Sequence, residues 1–87
     1  MGKTLAVYRL MPEEPGMEKA VAEAIPEAVK GLGEVKETKL EPVAFGLVAV
    51  KTAILFPEKK EELDKVEAKL RAIAGVSDVS MEAMTLL

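Results

Sequence analysis

Residues 47–56 read Leu47-Val48-Ala49-Val50-Lys51-Thr52-Ala53-Ile54-Leu55-Phe56. Val48, Val50, Thr52, Ile54 and Phe56 fall on one side of a period-two pattern, and Leu47, Ala49, Lys51, Ala53 and Leu55 on the other. β-Branched and aromatic residues at that period, with no glycine or proline inside the run, predict an interior strand covered at least on the first side. Gly46 and Pro57 bound it.

Beyond Pro57, the residues Leu63, Val66, Leu70 and Ile73 form the apolar stripe of a helix, supported by Glu61–Lys65 and Glu67–Arg71 pairs four apart and by Gly75 as a C-cap. The charge run Glu58, Lys59, Lys60, Glu61, Glu62 reads as a solvated helix start. The tail alternates again, with Val79, Met81 and Ala83 on one side and Asp78, Ser80 and Glu82 on the other, before Met84, Thr85, Leu86 and Leu87.

On the other flank, residues 31–46 place Val35 and Leu40 among Glu34, Lys36, Glu37, Lys39 and Glu41. Charges at that density suit a sheet edge, and Pro42 is tolerable only there. Met17, Val21, Ala24, Ile25 and Ala28 share one face of an earlier helix, with Glu13 and Glu14 near its positive end and Pro26 stopping or kinking it. Lys3 to Met11 alternates as a central strand that ends at Pro12 to Gly16.

The predicted order is β-α-β-β-α-β. Short connections and right-handed crossovers leave one dominant arrangement, an α+β, ferredoxin-like sandwich: a four-stranded antiparallel sheet with both helices on one face. In its usual strand order, fourth-first-third-second, Arg9 and Lys51 meet on the helix-free face among Leu5, Val7, Leu47 and Leu55. That face is either a partly solvated surface with two snorkelling cations or a docking surface. Tyr8 and Phe56 are predicted to face the helices. Most of the five methionines, Met1, Met11, Met17, Met81 and Met84, are expected at core positions, with Met84 alone near the end where a partner would dock.

Composition narrows the function. Eighty-seven residues, 49% hydrophobic and 31% charged, suit a single domain spanning 1–87. The chain has no histidine, cysteine or tryptophan, so the common nucleophile–base pairs, zinc sites and thiol redox motifs cannot be built. No cofactor or metal is expected, and no enzymatic chemistry. A net charge of −3 supplies no positive field to draw nucleic acid, which favours a protein partner. Met1-Gly2-Lys3 leads into an alternating segment rather than an apolar leader, and the lack of cysteine fits a reducing compartment, so a cytoplasmic protein without membrane attachment is expected.

The segment Glu41-Pro42-Val43-Ala44-Phe45-Gly46-Leu47 follows Met11-Pro12-Glu13 and precedes Gly75-Val76. With these motifs in this order of elements, the chain resembles the archaeal elongation factor 1-beta family along essentially its whole length. The resemblance implies a guanine nucleotide exchange factor that releases GDP from elongation factor 1-alpha, the GTPase that delivers aminoacyl-tRNA. It implies two contacts: the Phe45 hairpin on one domain of the GTPase, and the end of the last strand on the nucleotide domain near magnesium and phosphate. Partner-binding residues are then Phe45, Gly46, Lys51, Met84, Thr85, Leu86 and Leu87. Eukaryotic relatives carry lysine at the penultimate position, and this chain has Leu86.

Read from the residues alone, Phe45 is either a turn-packing residue or an anchor for a partner's pocket, while Gly46 permits a tight turn. Two rival functions share the architecture. One is a small-ligand-binding regulatory domain; the other is an RNA-binding sheet platform, which needs aromatics on the sheet face where only Tyr8, Phe45 and Phe56 exist in the chain.

Overall fold

Strands β1 (Lys3–Pro12) and β3 (Val48–Pro57) pair antiparallel at the centre of a four-stranded sheet of order β2-β3-β1-β4. Strand β2 (Glu34–Pro42) lies on one edge and β4 (Val76–Leu86) on the other, both antiparallel to their neighbours. Helices α1 (Glu18–Ala28) and α2 (Lys60–Arg71) supply the two crossovers, giving the expected β-α-β-β-α-β sandwich. The computed structural model describes residues 2–57 and 60–87, with the side chains of 60–62 also outside the description. The charge run at Glu58 to Glu62 and the Glu61–Lys65 pair therefore lie outside the described side chains.

The period-two pattern of the central strands becomes the two faces of the sheet. Ala6, Tyr8 and Leu10 of β1 and Val50, Thr52, Ile54 and Phe56 of β3 are buried toward the helices. They meet Val21, Ile25 and Val29 from the first helical region and Val66, Leu70 and Ile73 from the second. Burial of each large apolar side chain contributes ~1.5–3 kcal/mol, which concentrates stability in this layer. On the opposite face Leu5, Val7, Leu47 and Leu55 are only half-buried, and Arg9 and Lys51 are direct register partners. Glu67 and Arg71 form the expected pair at 3.4 Å.

Four local expectations need correction. Pro26 does not stop α1, which continues to Ala28; it sits on the exposed side, where water can serve the Ala22 carbonyl left without its donor. Helix α2 ends at Arg71, so Gly75 is no C-cap but the left-handed residue of the following turn, with φ +92°. The described methionines are not core residues: Met11 and Met17 are half-buried, and Met81 and Met84 are exposed, while Met1 lies outside the described residues.

The fourth concerns β4. The register steps from Tyr8↔Met81 to Val7↔Ala83, leaving Glu82 as an extra residue. This bulge reverses the alternation. Ala83 moves opposite Val7 on the helix-free face, away from Val79 and Met81, while Met84 and Leu86 face Ala6 and Thr4 on the helix side.

Candidate functional site

Chain direction separates two ends of the sheet. Both β3 and β4 run antiparallel to β1, so they run parallel to each other. The β2–β3 hairpin stands where β3 begins. Leu87 lies where β3 ends: its N–H donates to the Lys3 carbonyl at 2.8 Å, and Lys3 is in register with Pro57. Ten residues of β3 at ~3.3 Å each put about 30 Å between these ends, along a molecule 43 Å in its longest dimension.

The hairpin is a tight turn over Ala44 to Leu47, closed by the Leu47 N–H donating to the Ala44 carbonyl at 3.0 Å. Both central residues are left-handed, Phe45 at φ 55° and Gly46 at φ 79°, the pattern of a type I′ turn that matches the twist of the flanking strands. Glycine adopts this region freely, but a bulky aromatic there is strained. Phe45 is also 98% exposed, so the turn-packing alternative is removed: the ring packs on nothing within the chain.

Exposure of large apolar side chains is not scattered. Among the described residues the exposed set is Leu40, Val43 and Phe45 near the hairpin, and Met81, Met84, Leu86 and Leu87 in and after the second half of β4. The sites expected at Phe45 and Gly46 and at Met84, Thr85, Leu86 and Leu87 thus gather into two groups at opposite ends, and Lys51 belongs to neither.

Lys51 stands midway, in a row of cations crossing the helix-free face. It is in register with Lys39 on β2 and with Arg9 on β1. Its Nζ reaches Glu41 Oε2 at 3.1 Å and Glu82 Oε1 at 3.0 Å. Hydrogen bonds to Glu82 and Glu41 raise its pKa above the ordinary lysine value, so it stays charged at neutral pH. Lys39 pairs with Glu37 at 3.4 Å. Arg9 forms no ion pair among the described residues, and its Nε is buried without a hydrogen-bond partner. Glu41 and Glu82 were invisible as site residues in the sequence: Glu41 is one of many charges on an edge strand, and Glu82 meets Lys51 only through the pairing of β4 with β1 and of β1 with β3.

The segments flanking the hairpin also converge in space. The Glu13 N–H donates to the Gly75 carbonyl at 2.7 Å, and Ser77 Oγ donates to the Met11 carbonyl at 3.1 Å. The loops at Pro12 and Gly75 therefore share the hairpin end of the sheet. Residues 5–87 match the family model described as the EF-1 guanine nucleotide exchange domain. The chain belongs to this family.

Relatives in the family span the chain from end to end. The elongation factor 1-beta of Methanoculleus marisnigri is 37% identical over 87 residues, covering 100% of both chains. That of Methanoregula boonei is 34% identical with 99% of each covered, and that of Thermoplasma acidophilum 26% identical with 100% of each covered. Membership assigns the chain a nucleotide exchange role in translation elongation. Among solved structures, the C-terminal domain of the MgtC protein from Mycobacterium tuberculosis superposes with a TM-score of 0.72 at 17% identity, covering 92% of this chain and 86% of that one. The ACT domain from GTP pyrophosphokinase of Chlorobium tepidum gives 0.63 at 18% identity, with 92% and 99% covered. These are likenesses of fold. No helix among the described residues is long and apolar enough to cross a membrane.

Proposed function

We propose that this chain acts as one exchange domain that accelerates GDP release from the GTPase elongation factor 1-alpha in the cytoplasm, by docking on it at two places. The observation that carries this reading is that exposed apolar side chains stand at both ends of the sheet, Val43 and Phe45 at one and Met84, Leu86 and Leu87 at the other. Exposed aromatic and aliphatic anchors supply much of an interface's energy. Phe45 at its strained turn forms one contact, with Gly46 allowing the backbone to approach. Met84, Thr85, Leu86 and Leu87 form the other. Lys51 serves between them through its two carboxylates rather than as a free cation.

Such a factor needs no catalytic group. A protein that binds the nucleotide-free GTPase more tightly than the nucleotide-bound form weakens nucleotide affinity by the same coupling factor. Leu86 cannot compete with magnesium by charge, so the C-terminal limb acts by wedging between the elements that hold magnesium and phosphate. The RNA platform is disfavoured because Tyr8 and Phe56 are buried under the helices and Phe45 stands at the hairpin, which leaves the helix-free face without stacking rings. The test is the release rate of a fluorescent GDP analogue from purified elongation factor 1-alpha with and without stoichiometric protein. Acceleration of about tenfold or more, equivalent to ~1.4 kcal/mol off the release barrier, supports the reading; no acceleration and no binding would discard it.

A further inference from the structure

The strands bearing the two exposed ends are held by backbone ladders only to their immediate neighbours: β2 to β3, and β4 to β1. Side chains on the helix-free face add a connection of longer reach. Glu82 on β4 meets Lys51 on β3 at 3.0 Å although β1 runs between these strands, so the contact bridges about 10 Å of sheet. From Lys51 the chain of contacts continues to Glu41 on β2 at 3.1 Å. Glu41 stands four residues before Phe45, and Glu82 two residues before Met84. Lys51 is thus the meeting point of the base of the hairpin and the base of the C-terminal limb.

The local charges give this link a direction. Lys39, Lys51 and Arg9 lie side by side across three strands, and like charges directly opposite one another repel. Glu37 answers Lys39, and Glu41 and Glu82 answer Lys51, which keeps only 30% of its side chain exposed. Asp78, also on β4, turns to Arg71 at 3.7 Å instead. Glu82 therefore has a defined target: alternation from Met81, opposite Tyr8 on the helix side, turns it to the helix-free face, and the bulge that follows turns Met84 and Leu86 to the helix side.

We propose that the Glu41–Lys51–Glu82 link fixes the position of the Met84–Leu87 limb relative to the Phe45 hairpin, and that Lys51 is a positioning residue for exchange. The proposal rests on the two-ended docking reading. When two sites on a rigid body engage one partner, the first contact presents the second at high effective concentration only if their separation is held. Loosening the link leaves each contact intact and reduces how often both engage together.

The test uses the full chain with Lys51→Met, which keeps the apolar stem, together with Lys51→Arg, Glu82→Gln and the Lys51→Met/Glu82→Gln pair. Dependence of GDP-analogue release on exchange-factor concentration separates the maximal acceleration from the half-saturating concentration. Lys51→Met and Glu82→Gln each lower the maximal acceleration about threefold, the size expected for one part-exposed ionic contact. The half-saturating concentration shifts less than the maximum does, Lys51→Arg restores most of the loss, and the double variant loses no more than either single one. Hydrogen exchange read on the isolated protein shows faster exchange at Met84–Leu87 with the central strands unchanged.

An unaltered maximum, additive losses, or a melting temperature that falls in step with activity would overturn the proposal. If the wild-type protein fails to accelerate release, the docking reading falls. The hydrogen-exchange arm then still decides whether Lys51 holds the limb, and unchanged exchange at Met84–Leu87 would show that it does not.

Discussion

Phe45 and Gly46 stand side by side in the left-handed region, at φ 55° and 79°, and only Gly46 occupies it without strain. A turn of this type is best served by asparagine or aspartate followed by glycine. The aromatic ring therefore works against the stability of the isolated chain while lying 98% exposed. Phe45→Asn is expected to stabilise the isolated protein by ~0.5–1 kcal/mol, since left-handed strain at a non-glycine residue costs of order 1–3 kcal/mol. Urea unfolding checks this.

In the complex the order reverses. Phe45→Ala and Phe45→Asn should both weaken association with elongation factor 1-alpha by about tenfold or more, as for a buried aromatic anchor, with circular dichroism unchanged. Titration calorimetry gives the affinity, and an unaltered value would remove Phe45 from the interface.

At the opposite end, removal of Leu86 and Leu87 deletes two exposed apolar side chains and the backbone bond from Leu87 to Lys3. The rate of GDP release at saturating factor should drop about tenfold while affinity changes about threefold or less, as expected if the limb, in the proposed mechanism, acts on the nucleotide-bound state rather than on anchoring. Stopped-flow release and equilibrium binding measured on one preparation compare the two. Full activity would show that these residues take no part.

Tyr8 sits in the core with its hydroxyl buried and without a hydrogen-bond partner among the described residues. Burial first, then the nearby carboxylates of Glu67 and Asp64, push its pKa up to about 12 from 10.0. The unfolded chain thus releases this proton before the folded one. The contribution is intact below pH 10 and is lost as pH rises toward 12, by up to ~2–3 kcal/mol. Tyr8→Phe should be neutral to mildly stabilising at pH 7, because no hydrogen bond is lost. Against wild type, it should remove that part of the alkaline loss, as read from urea midpoints between pH 8 and 12.

Gly75 carries φ +92°, and a Cβ built on it would collide with the Met17 methyl group. Gly75→Ala is expected to cost ~1–3 kcal/mol, chiefly through backbone strain at positive φ, because the Met17 methyl ends a flexible side chain that can move aside. Adding Met17→Ala leaves that strain in place, so thermal unfolding of the pair should show little or no recovery.

The arrangement of strands and helices was written into the chain because alternation at period two and a stripe at helical spacing are local signals. Residues 47–56 read as an interior strand and are one; the charged stretch with Pro42 reads as an edge and lies there. The register of β1 with β3 followed, so Arg9 and Lys51 meet as anticipated. Phe45 was legible as a hairpin aromatic beside glycine, though not its left-handed backbone, which depends on closing the turn with the twist of both strands.

What local pattern cannot carry is any relationship set by chain segments far apart. The Glu82 bulge is one: alternation runs unbroken through Val79, Met81 and Ala83 in the sequence, and only pairing against β1 places an extra residue there. The partners of Lys51 are another, since Glu41 and Glu82 lie ten and thirty-one residues away and come within 3.1 Å only across the assembled sheet. The presence of exposed apolar side chains at both ends of the sheet is a third. Residue types and their spacing fix which segments form strands and helices, because those choices rest on backbone sterics and near-neighbour burial; which side chains are left facing solvent together is decided by register and strand order, and these exist only in the folded sheet.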